Sequence, residues 1–188
     1  MVLHIAKNKR AKCLFSMEVI GMSKLQNMRI VEIPKFRAVS SGPKTLNELF
    51  VDNNSFEAWV QAHKNYFIEH IFEPQDFLWH EDCNIDKSVR IFPIKSSVTD
   101  ADVAPYEIIE FPGGIFLVAT GDESDDADLN ETVANMYKWI ENSDIFEYGD
   151  FPKSGMCNMP NPDGAADKAL NIAQQQIFLP LKLRDNKK

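Results

Sequence analysis

Arg90 and Gln176 open two similar segments, Arg90-Ile-Phe-Pro-Ile-Lys95 and Gln176-Ile-Phe-Leu-Pro-Leu-Lys182. In each, a polar group heads an otherwise apolar strand. A guanidinium repels cations and can hold an anion or a carbonyl group. An amide donates and accepts hydrogen bonds, but it neither draws in a cation nor moves a proton. Such a pair suits a neutral or partly anionic partner better than a cation. The competing reading of Arg90 is a surface residue paired with an acid. Aromatic residues surround these positions: Trp59 and Tyr66 on one candidate helix, Tyr137 and Trp139 on another, and Phe77, Trp79, Phe92 and Phe178 on candidate strands. Rings offer flat contact area at little entropy cost, and cation–π attraction to a positive guest. At helical or alternating spacing the same rings also build cores. The residues expected to meet a ligand are Trp59, Tyr66, Trp79, Arg90, Phe92, Tyr137, Gln176 and Phe178.

Other constellations carry less. His80-Glu-Asp-Cys83 supplies two candidate metal ligands without a second pair. His63 and His70 share a helix face, but no HExxH motif accompanies them. Nothing identifies a base for Cys83 as a nucleophile. Glu107 and Glu110 alternate across a strand, so at least one faces solvent. The acidic run Asp122–Asp128 lacks the spacing of a calcium loop and reads as solvated surface. There is no phosphate-binding loop. No metal, cofactor or catalytic residue is expected.

The elements that position these residues come in two copies. Val31 to Gly42 reads VEIPKFRAVSSG, and Ile109 to Gly121 reads IEFPGGIFLVATG. Each is a strand broken by Pro, which has no N–H for the ladder, and stopped near a Gly. After each comes an amphipathic helix: one predicted over 55–71 with a capping box at Asn54–Glu57, the other opening with a capping box at Asp128–Glu131. Strands follow at 77–82 and 88–95 in the first copy, and at 145–150 and 176–183 in the second. Between the last two lies the long segment 151–174, read either as a lid or as a solvent loop with a short helix over 165–174. Three landmarks recur in order: the Pro-broken strand, the helix and the final Ile-Phe strand. The predicted fold is α+β: two βαββ modules, 25–97 and 104–184, related by a pseudo-twofold axis. Antiparallel sheets and two main helices enclose a central cleft. Residues 1–24 read as an extension, basic over Lys7–Lys12.

Composition bounds the function. The chain has 188 residues and a formal net charge of −8. That charge argues against nucleic acid as a partner. No apolar run is long enough to span a membrane. The 3 cysteines are scattered without a pattern, which fits reduced thiols and a cytoplasmic setting.

With those residues in view, a resemblance can be stated. The VEIP strand, the segment YEIIEFPGGIFLVATG, the Lys138-Trp139 pair near the end of the second helix and the terminal Gln176-Ile-Phe-Leu-Pro strand resemble the GyrI-like small-molecule-binding domain. The same domain is the effector-binding module of multidrug-responsive MerR- and AraC-type regulators. The resemblance covers about residues 25–184. It implies two βαββ halves around an aromatic cleft that binds lipophilic, often cationic, compounds. Some stand-alone members are hydrolases of reactive natural products. One departure stands out. The family commonly carries Glu, which meets the cation or serves as an acid, where this chain has Gln176. The favoured expectation is therefore non-catalytic binding of a small lipophilic molecule by a stand-alone or sequestering protein. A hydrolase, and a protein-binding inhibitor of a gyrase-like target, are the alternatives.

Overall fold

The computed structural model describes residues 27–69, 76–81, 84–159 and 164–185. The expectations for residues 1–24, for His70 and for Cys83 lie outside the described residues. No helix among them is long and apolar enough to cross a membrane.

Each Pro-broken segment is cut into two strands. The first gives β1 (Arg29–Ile33) and β2 (Phe36–Ser40); the second gives β5 (Glu107–Phe111) and β6 (Gly114–Asp122). The halves of each cut strand go to different neighbours. β1 pairs with β6, and β5 pairs with β2, so each copy lends its first strand to the other. The two ladders match residue for residue. Ile33 opposite Gly114 answers Phe111 opposite Phe36, and Arg29 opposite Val118 answers Glu107 opposite Ser40. Missing N–H groups at Pro34 and Pro112 are what free the chain to leave one ladder and join the next.

The remaining strands are β3 (Phe77–Glu81), β4 (Asn84–Pro93), β7 (Phe146–Tyr148), β8 (Met156–Asn158) and β9 (Gln174–Leu183). The order is β1-β6-β9-β8-β3-β4-β2-β5, with β7 also on β9. The two halves of this path are related by the pseudo-twofold. They meet at a single β3–β8 pair, Leu78 opposite Cys157. The antiparallel sheets of the two halves thus join into one continuous sheet. Because β1 runs into β2 and β5 into β6, the two ends of the path are tied together and the sheet must curl. The two ties cross in backbone contact. Gly113 has φ +73°, and a Cβ there would lie 2.5 Å from the Ile33 carbonyl oxygen and 2.7 Å from the Lys35 nitrogen.

Alternation then fixes two faces. The inner face holds Phe77, Trp79, Ile91, Phe111, Phe116 and Phe178, all buried. Phe36 stacks on Phe111 at 4.8 Å, and Phe77 meets Phe178 edge-on at 5.3 Å. The outer face carries the helices. α1 (Phe56–Ala62) covers Val39 and Ile94, and α3 (Asp126–Glu141) covers Leu117, Ala119 and Leu179. Two shorter helices are α2 (Asp100–Val103) and α4 (Ala165–Leu170). Burying each large side chain contributes roughly 1.5–3 kcal/mol, and these three clusters supply most of that gain.

The first helix is shorter than its periodicity predicts. It stops at Ala62, passes through a 3-10 turn at Lys64–Tyr66, and leaves as extended chain. There Phe67 bridges to Ile94, and Lys95 N–H donates to the Tyr66 carbonyl at 2.9 Å. Pairing with the end of β4 outweighs the helical stripe. Neither expected capping box forms. Ser55, not Asn54, caps α1 by accepting from Ala58 N–H at 3.2 Å. Asp125 caps α3, while the Asp128 carboxylate accepts from Asp122 N–H at 2.9 Å.

Candidate functional site

Where β3 meets β8, the outer face is not fully covered. α1 packs on one half and α3 on the other, and the join between them is floored by Leu78 and Cys157. Two cavities open there and share Leu78, Cys157 and Gln175. The larger, about 400 Å³, lies on the α1 side; the smaller, about 220 Å³, lies under Leu129 and Val133 of α3.

The larger cavity has a greasy wall and a charged one. Leu46 and Phe50 come from a π-helical turn at Asn47–Val51 and the residue before it, and Met159 follows β8. Leu46, Phe50 and Val51 are largely exposed at the cavity mouth or beside it. The charged wall is Arg90, Glu57, Asp76 and Glu123. Arg90 sits on β4 opposite Leu78. Ser41 fixes its backbone: Arg90 N–H donates to the Ser41 hydroxyl at 2.9 Å, and Ser41 N–H donates to the Arg90 carbonyl at 2.9 Å. Each nitrogen of the guanidinium donates to a carboxylate. Its Nε and Nη2 donate to Asp76 Oδ2 at 3.0 and 2.8 Å, and its Nη1 donates to Glu57 Oε2. It also lies over the rings of Phe50 and Phe92, 4.7 Å from each centroid.

This arrangement sets the electrostatics. Burial raises the Glu57 carboxyl, but hydrogen bonds from Gln61 and Arg90 outweigh it and hold the group below its ordinary value. Glu123 has burial alone, which raises its carboxyl. Burial, followed by the fields of Glu123 and Asp76, pushes the Cys157 thiol up to about 12. Cys157 is therefore a neutral, apolar part of the floor at physiological pH, not a nucleophile.

Of the eight residues expected to meet a ligand, the structure brings few together. Arg90 lines the larger cavity, with Phe92 in contact with it, and Trp79 borders the smaller one. Trp59 and Tyr66 pack into the α1 cluster, Trp59 lying 4.5 Å from His63 and 5.2 Å from Tyr106. Tyr137 is 40% exposed and stacks on Tyr148 away from both cavities. Phe178 belongs to the inner face.

Gln176 is displaced by register. The two Ile-Phe strands are equivalent through their prolines, Pro93 opposite Ala38 and Pro180 opposite Phe116. The second strand has one extra residue between Phe and Pro. Consequently Ile177, opposite Cys157, is the counterpart of Arg90, opposite Leu78. A slip of one residue reverses the face. Gln176 turns inward, 6% exposed beside Phe178, and Gln175 takes the cavity side. Of the two readings of Arg90, pairing with acids is the one seen: it is bound to two carboxylates, although at 12% exposure it is not a surface residue.

Glu57, Asp76 and Glu123 were not foreseen as site residues. Glu57 was absorbed by the capping pattern and Glu123 by the acidic run. The signal that points to them is Arg90 itself: a guanidinium on the helix-covered face of a strand requires carboxylates nearby. Leu46, Leu49 and Phe50 show helical spacing, the signal for the turn that forms one wall of the cavity. In the segment 151–174, β8 forms sheet, so Cys157 and Asn158 belong to the cavity wall.

No family model matches this sequence, and no curated protein matches it. Solved structures do match in fold. SAV2435 bound to tetraphenylphosphonium is 10% identical with a TM-score of 0.52, covering 83% of this chain and 94% of that one. A hydrolase from Listeria innocua is 12% identical with a TM-score of 0.55, covering 93% and 98%. A second hydrolase from Listeria innocua is 13% identical with a TM-score of 0.53, covering 93% and 97%. At such identities the shared property is the fold: a curled antiparallel sheet in two related halves, with helices bordering a cleft.

Proposed function

We propose that this chain is a GyrI-like protein that binds a small lipophilic molecule without transforming it. The site is the cavity between α1, β3 and β8. The observation that carries this reading is the cavity itself. Its volume of about 400 Å³ falls in the range of small-molecule sites. Leu46, Phe50, Leu78 and Met159 supply apolar contact, and a few polar groups converge on one side. Exposed Leu46 and Phe50 at its mouth are apolar surface that a guest would cover. The likeness to a protein bound to a lipophilic cation adds support from fold alone.

A second reading, hydrolysis, draws on one feature. Glu123 borders the cavity, and partial burial raises its carboxyl, the direction of shift that general-acid work calls for. One experiment weighs both. The protein is titrated with Nile red, in wild type and in Leu78→Trp, whose indole fills the floor. Binding in wild type and its loss by about tenfold or more in the variant, with an unchanged melting temperature, supports the site. Equal binding by both places the guest elsewhere. Release of product from an epoxide or activated ester, abolished by Glu123→Gln, would move the assignment to a hydrolase.

A further inference from the structure

We propose that Arg90 occupies, from within the chain, a cation site built by its neighbours, and thereby selects against cationic guests; this rests on the binding reading above. Phe50, Phe92, Glu57 and Asp76 are the parts of a cation cage. Rings attract a cation through their negative faces, and carboxylates through charge and hydrogen bonds. In this structure the cage is full. The guanidinium lies over both rings, 4.7 Å from each centroid, and donates to both carboxylates. Its side chain is only 12% exposed. The other oxygen of Glu57 accepts from Gln61. One guanidinium does not offset both acids, but a cation entering the cavity would find the cage already filled, its rings and the engaged carboxylate oxygens covered by a fixed positive group, with Glu123 as the other acid of the wall.

The pseudo-twofold supplies an independent observation. The counterpart of Arg90 is Ile177, which borders the smaller cavity. Strand and helix pack there around an aliphatic side chain, so the fold itself does not require an arginine with two acids. Among the described residues, the charged cluster exists on one side of the axis only. That is the pattern expected of a specificity element rather than of a packing requirement. A neutral guest keeps its contacts with Leu46, Leu78 and Met159 and is not repelled by the guanidinium.

Calorimetric titration with two aryl-phosphorus probes tests the proposal: tetraphenylphosphonium, a cation, and triphenylphosphine oxide, which is neutral and carries three of the four phenyl groups. Wild type is expected to bind the neutral probe more tightly. Arg90→Met vacates the cage, so its affinity for tetraphenylphosphonium should rise by at least about tenfold, while affinity for the oxide changes by less than about threefold. Arg90→Lys retains the charge and should keep the wild-type ranking. No gain for the cation in Arg90→Met overturns the proposal and leaves the binding reading standing. No binding of either probe by any form overturns both. If Arg90→Met does not fold, the double variant Asp76→Asn/Arg90→Met is measured in its place. One carboxylate then remains, so a smaller gain for the cation is expected, and its absence counts against the proposal equally.

Discussion

Gly113→Ala is expected to be among the costliest small substitutions in this chain. The residue has φ +73°, where an L side chain is strained by about 1 kcal/mol. Its added Cβ would also lie 2.5 Å from the Ile33 oxygen, 2.7 Å from the Lys35 nitrogen and 2.8 Å from the Pro34 carbonyl carbon. All three are backbone atoms of the opposing tie, so no side chain can swing away. Overpacking of this kind costs about 1–3 kcal/mol, and rigid neighbours put it at the upper end. The sum is about 4 kcal/mol, or roughly a 12 °C fall in melting temperature for a chain of this length. Gly42 is the matched control: φ is +62°, and nothing lies within 4 Å of its Cβ position. Gly42→Ala should cost about 1 kcal/mol, the conformational part alone. Urea denaturation of the two variants beside wild type measures the difference. If Gly113→Ala lies within about 1 kcal/mol of Gly42→Ala, the two ties do not cross in contact and the reasoning fails.

Two further outcomes follow from the site. The Glu57 carboxyl is held below its ordinary value of 4.5, so its contribution to stability is full above that pH and is lost as pH falls through the folded-state value. Urea midpoints between pH 6 and pH 3 should therefore drop further for wild type than for Glu57→Gln. The difference should be about 1 kcal/mol at most, since the group is partly exposed; equal slopes would remove the ion pair from the account. The Cys157 thiol, raised to about 12, should resist alkylation in the folded protein. With Cys13 and Cys83 replaced by Ser, iodoacetamide labelling at pH 8 should be slower by about three orders of magnitude than in urea, and comparable rates would show an accessible thiolate.

Much of the architecture was legible because Pro and Gly dictate backbone geometry locally. Pro34 and Pro112 announced two broken strands, and the spacing between them held through both ladders. Which strand each fragment would pair with was not legible. Strand exchange depends on contacts between distant segments, and no local preference encodes it. The helix over 55–71 failed for the same reason, since Phe67 is claimed by Ile94. Gln176 illustrates a narrower failure. Matching the two terminal strands on Ile-Phe rather than on Pro shifted one by a single residue, and in a strand that exchanges inside for outside. Arg90 was found because its charge is conspicuous in an apolar run. Its partners were not, since Glu57 reaches it from a helix 33 residues earlier and Asp76 from the lead-in to the neighbouring strand, a pairing that depends on hairpin register.

The lending of β1 to β6 has a consequence for how this polypeptide leaves the ribosome. Arg29–Ile33 is made early, yet its hydrogen-bonding mate, Gly114–Val118, emerges some eighty residues later. Until then the first half has one strand without a ladder, and its sheet lacks the edge that Glu107–Phe111 will provide. Neither half can reach its native form as a nascent chain alone, so the ordering step must await synthesis of both. Closure of such long loops slows folding, and a chain cut between the halves should regain structure only when the two pieces are mixed.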